Sequence, residues 1–174
     1  MNKLARSIDR ILSWTVIILM VILVVDVVWQ VATRYLLGSA SSFTEELARF
    51  LLIWIGLLGS AYAYRMNLHL AFDYFSSRAT GRNRVWLMLF IHSLIALFAL
   101  LVLVIGGSYL VQLTWELNQV SAALQVKLAY VYSVLPLSGI LILFYAVLFI
   151  RDALLNQKDN KDNNEPVEIT NGEV

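Results

Sequence analysis

The chain has 174 residues, 60% hydrophobic and 14% charged, with a mean hydropathy of +0.73 and a formal net charge of +1. Soluble domains are about 45–50% apolar and about 25% charged, so this apolar surplus cannot be hidden in one small water-soluble core and lipid must be part of the solvent. The absence of cysteine excludes disulfides, thiol catalysis and thiolate metal sites, two histidines (His69 and His92) leave little for a metal centre, and the near-neutral balance offers nucleic acid no attracting field.

The start, MNKLARSIDRILSW, is basic and then apolar, as a secretory signal would be. The apolar run continues to Val28 with no small-residue cleavage site close behind it, which predicts a retained first span. A bilayer core of about 30 Å takes roughly 20 apolar residues in a helix. Four stretches qualify: residues 11–33, 46–64, 85–110 and 128–150. Backbone groups in lipid must be paired within each segment, so the predicted class is all-α, integral membrane, with four transmembrane helices. Residues 1–152 form the predicted membrane domain, and 153–174 a polar, acidic, disordered tail.

Asp26 stands well inside span one, where a charge is rare. Asp26, Gln30 and Arg34 share one helical face at intervals of four, a polar stripe suited to a buried protein interface. The competing reading is a proton or sodium carrier, but no intramembrane base is matched to it. Arg34 is expected to pair with Glu45 or Glu46 across the short first loop.

Span two opens SSFTEELARFLLIWIGLLGSAYAYR. Ser42 and Glu45 fit a capping box, and Glu45 and Glu46 both have the spacing to pair with Arg49. Arg49 lies about a turn into the span and Trp54 about two turns, while Gly56, Gly59 and Ser60 form a small-residue seam. An ion pair, a deep indole and such a seam predict a helix that packs against another protein. The following loop, residues 66–77, is amphipathic and is expected to lie along the membrane surface. In span three, His92 is expected to hydrogen-bond a neighbouring helix, and Gly106, Gly107 and Ser108 to permit a close approach or a bend. In span four, Pro136 is expected to kink the helix. Glu116 and Lys127 mark the second outer loop.

Basic residues sort by connection. Lys3, Arg6 and Arg10 precede span one; Arg65, Arg78, Arg82 and Arg84 lie between spans two and three; Arg151, Lys158 and Lys161 follow span four. The other two connections carry Arg34, Arg49 and Lys127. The positive-inside rule therefore predicts cytoplasmic termini and a cytoplasmic middle loop.

The series Arg34-Tyr35, Phe43-Thr-Glu-Glu46, Arg49, Trp54, Gly59, Arg65, His69 and Asp73, followed by LAYVYSVLPLSG at 128–139, resembles the small permease subunit of tripartite ATP-independent periplasmic (TRAP) transporters. The resemblance covers residues 8 to 152 and rests on order and spacing. It departs before span four, where the family often carries Pro and Trp and this chain has Gln125-Val-Lys-Leu128. The resemblance implies a subunit of the bacterial inner membrane that performs no chemistry, holds no cofactor and touches no substrate. It would scaffold a large elevator-type membrane subunit in sodium-coupled uptake of an organic acid, sialic acid or a dicarboxylate, delivered by a periplasmic solute-binding protein. On that reading Asp26, Gln30, Arg34, Glu45, Glu46, Arg49, Trp54, Gly56, Gly59 and Ser60 face the large subunit, and Glu116 and Lys127 the periplasm. Two other functions fit parts of the same sequence: a self-sufficient four-helix proton-coupled exporter using Asp26, and a haem-binding redox subunit using His69 and His92.

Overall fold

A computed structural model describes residues 3–37, 41–66 and 82–162. Helix α1 spans Lys3–Leu37 and α2 spans Ser42–Arg65. Helix α3, Arg82–Phe98, runs on through a widened π-helical segment, Ala99–Gly106, into α4, Gly107–Glu116. Helix α5, Leu128–Tyr132, leads directly into α6, Val134–Asp162. Among the described residues, four stretches are long and apolar enough to cross a membrane: Ala5–Leu36, Ser42–Arg65, Trp86–Glu116 and Leu128–Arg151. They are the four expected spans in the expected order, and the protein is a multi-pass membrane protein. The expected surface helix over 66–77 falls, beyond Met66, outside the described residues, as do His69 and Asp73.

Helix α6 is central. It packs against α2, α3 and the π-helical segment, while α1 packs mainly on α2. Tyr145, Val134 and Ser138 of this span are fully buried, with Leu58, Ala61, Ala99, Leu103 and Ala146 around them. The close approach depends on missing side chains. A Cβ on Gly139 would stand 2.7 Å from Leu103 Cβ, and one on Gly107 2.8 Å from Leu135 Cβ.

Pro136 interrupts span four where its chemistry requires. Its ring excludes the carbonyl one turn back. The helix therefore breaks at Ser133, and Pro136 falls in the first turn of α6, where a missing N–H costs nothing. At the far end, α6 continues to Asp162, ten residues beyond the expected boundary at 152. Extending an established helix costs far less than starting one, and DALLNQK contains no breaker. The last twelve residues of the expected tail lie outside the described ones.

Candidate functional site

Polar side chains collect at the two ends of the bundle and in one cleft. At the end where α1 begins and α2 finishes, Arg65 Nε donates to both oxygens of Asp9 at 3.3 and 3.2 Å. Tyr145 donates its hydroxyl to Asp9 Oδ1 at 2.8 Å. The Arg65 guanidinium also lies 5.8 Å from the ring centres of Tyr145 and Phe149. One helix turn away, the Tyr64 hydroxyl is 2.8 Å from His92 Nδ1, and the His92 ring stacks on Phe149 at 5.1 Å. His92 thus bonds a neighbouring helix, as expected. The Asp9 cluster was not foreseen: its members lie 56 and 136 residues apart in the chain, and no local spacing joins them.

At the opposite end, Glu46 grips the loop between α4 and α5. Its Oε2 accepts from the backbone N–H of Ala123 at 2.8 Å and of Leu124 at 2.9 Å. The loop is closed by an antiparallel bridge between Val120 and Lys127, with Asn118 and Gln125 in left-handed conformations (φ 47° and 55°). Glu46 is therefore not the partner of Arg49 or Arg34. Among the described residues Arg49 pairs with Glu45 alone, at 3.1 Å, with both side chains more than half exposed. Arg34 is exposed and forms no ion pair among the described residues. The capping box also fails. The N-cap is Ser41 rather than Ser42, it makes no side-chain cap bond, and Glu45 turns forward to Arg49 instead of back. Thr44 closes the first turn instead, donating to the Ser41 carbonyl at 2.9 Å.

Two faces of α2 separate the remaining candidates. Glu45, Arg49, Leu52, Gly56, Gly59 and Ser60 recur at intervals of three and four and share one face. Leu52, Gly56 and Ser60 are exposed, and a Cβ added at Gly56 or Gly59 would meet nothing within 4 Å. The Ser60 hydroxyl returns to its own helix, at Leu57 O. No other element of the described chain covers this stripe. Trp54 lies on the opposite side, half-buried against the core and lining a cavity with Ile8, Leu12 and Leu58. Asp26 and Gln30 also point toward the chain's interior side: Asp26 is buried against α2, and Gln30 is half-buried. Of the two charges that flank the loop between α4 and α5, Glu116 accepts from Gln112 at 2.9 Å, and the Lys127 ammonium sits 4.4 Å above the Trp115 ring.

The described residues contain no group of three or more His, Asp or Glu placed to hold a metal ion. Residues 23–156 match the family model of the DctQ component of tripartite ATP-independent periplasmic transporters. The chain is 33% identical over 89 residues to the sialic acid TRAP transporter small permease protein SiaQ of Vibrio cholerae, covering 51% of this chain and 50% of that one. It is 34% identical over 71 residues to a Haemophilus influenzae protein provisionally assigned as a TRAP transporter small permease protein, covering 41% and 44%. The matched stretch thus spans about half the length of either relative or less.

Proposed function

The chain belongs to the DctQ family, the small permease subunits of TRAP transporters, and we propose on that premise that it is a non-catalytic scaffold docked through the open face of α2 to a large membrane subunit. The observation that carries this reading is the stripe from Glu45 to Ser60. It is long, uncovered and lined with small residues, with one exposed ion pair at its head. Helices associate in lipid by close packing, and Gly and Ser let backbones approach. An Arg one turn into a span is costly against lipid and tolerable against protein. Glu45 and Arg49 set the register of the partner helix.

Transport itself belongs to the larger assembly. The large subunit carries the substrate and sodium sites, a soluble periplasmic protein supplies an organic acid, and this chain enlarges the part that stays still. The matched relative that is named for sialic acid favours that substrate class over a dicarboxylate. The Asp9 end of the bundle faces the cytoplasm of a bacterial inner membrane and the Glu46 end the periplasm, where Glu116 and Lys127 border the surface offered to the binding protein. Asp26, Gln30, Arg34 and Trp54 lie off the open stripe and support α2 from behind or contact the partner at its margins.

Filling the seam tests the reading. Gly56→Leu and Gly59→Leu should each leave the chain folded, since nothing in its own structure occupies that space. Both should lose co-purification with the large subunit and abolish uptake in cells. Undiminished co-purification by the double variant would refute docking through this face.

A further inference from the structure

Asp26 is the one described side chain with a buried polar atom lacking any hydrogen-bond partner: its residue is 7% exposed and Oδ2 is unpaired. It lines a cleft of about 400 Å³ between α1 and α2, walled by Val25 and Trp29 on one side and Phe43, Thr44 and Leu47 on the other. The nearby Thr44 hydroxyl is committed to Ser41 O and cannot serve it. Leaving a buried carboxyl oxygen unpaired costs several kcal/mol in an apolar setting, so whatever fills the cleft must bring an N–H or O–H donor.

Depth narrows the choice. The Asp9–Arg65 pair marks one edge of the apolar region. Asp26 stands seventeen residues further along α1, about 26 Å of helix, against a hydrocarbon core of about 30 Å. It is therefore within a few ångströms of the opposite edge. The beginning of α2 says the same: Thr44 and Leu47, which share the cleft, flank the charged Glu45 and Glu46. The cleft also lies on the side of α2 away from the open stripe, because Phe43 and Leu47 are about half a turn of the helix from Arg49 and Gly56. Its mouth is bordered by the exposed rings of Trp29 and Phe43.

We propose that this cleft is a phospholipid site that takes the primary ammonium of an ethanolamine headgroup on Asp26. The ammonium offers three N–H donors to the unpaired oxygen, and Trp29 and Phe43, 63% and 50% exposed at the mouth, present aromatic faces to a cation. The apolar walls accommodate the upper acyl chain. A choline headgroup has the same charge and no N–H, so it meets the rings and leaves Oδ2 unanswered. The site rests on the cleft alone and stands whether or not the chain docks through α2.

The test compares phosphatidylethanolamine with phosphatidylcholine of identical acyl chains, by native mass spectrometry of the full chain released from detergent. The wild-type chain should retain the ethanolamine lipid about tenfold over the choline lipid, the scale of one charge-assisted hydrogen bond. Asp26→Asn and Asp26→Leu should both abolish the preference, with helix content by circular dichroism confirming that the variants fold. Equal retention of the two lipids by the wild-type chain would overturn the proposal, even if neither variant folds. So would a preference that survives in Asp26→Leu. A preference that disappears when the chain is purified with its large subunit would give the cleft to a partner side chain and overturn the lipid assignment.

Discussion

Asp9 joins three helices: it accepts from Arg65 at the end of α2 and from Tyr145 in α6 while standing near the start of α1. Its side chain and that of Arg65 are each less than one-fifth exposed. Removing one member of such a pair strands the other charge, which costs about 3 kcal/mol, whereas Tyr145→Phe forfeits a single hydrogen bond to a charged group, about 1.5 kcal/mol. Thermal unfolding of the purified chain in detergent should therefore rank Asp9→Ala as clearly more destabilising than Tyr145→Phe. Arg49→Ala should sit at the wild-type value, because its pair with Glu45 is exposed on one helix. Equal midpoints for Asp9→Ala and Arg49→Ala would show that the cluster contributes nothing to the bundle. Local spacing made the Glu45–Arg49 pair readable in the sequence. It also suggested partners for Glu46 and Arg34 that the fold does not use, because Glu46 answers two loop amides 77 and 78 residues away. Long-range closure leaves no local trace, and the Asp9 cluster was missed for the same reason.

Among the elements, the four spans were legible from length and apolarity alone, but not where their helices end: α1 begins at Lys3 and α6 runs to Asp162, both through the charges that border the apolar runs. The packing order was not. Spans that are apolar on every side carry no stripe that says which face meets protein and which meets lipid, so nothing in the sequence singles out α6 as central. The π-helical turn at Ala99–Gly106 is hidden for the same reason: within ALLVLVIG no polar side chain constrains the pitch. Glycines divide into two kinds that composition cannot separate. Gly139 faces Leu103 Cβ and Val104 Cγ2, atoms close to a packed backbone, while Gly56 faces open space. Gly139→Ala should then overpack the contact between α6 and the π-helical segment and cost about 1–3 kcal/mol. Gly56→Ala should stabilise the isolated chain by about 0.5–1 kcal/mol, since Ala loses less conformational freedom in a helix. Paired denaturation of the two variants reads the contrast directly. A loss at Gly56 matching that at Gly139 would mean that the α2 stripe is covered within the chain itself.

For the whole molecule, the charge count that predicts orientation needs one adjustment. Arg65 is held by Asp9 and shielded by two rings, so it is a weaker anchor than a free arginine. Lys and Arg nevertheless govern orientation largely without regard to acidic neighbours. Even without Arg65, the middle loop keeps Arg78, Arg82 and Arg84, and the two flanking segments keep Lys3, Arg6, Arg10, Arg151, Lys158 and Lys161. Against these stand Arg34, Arg49 and Lys127 on the other side, with Arg49 engaged by Glu45. The imbalance survives, and the termini should remain in the cytoplasm. The absence of native cysteine makes this measurable without background. Val120 is half-exposed in the loop between α4 and α5, so with cytoplasmic termini Val120→Cys should react with a membrane-impermeant maleimide in intact cells. Lys158→Cys should react only after the inner membrane is permeabilised. The reverse pattern would turn the bundle over and move the Glu46-clasped loop and the charged head of the α2 stripe to the cytoplasm. A soluble periplasmic partner could then reach only the Asp9 end, and the proposed roles of Glu116 and Lys127 would fall with the orientation.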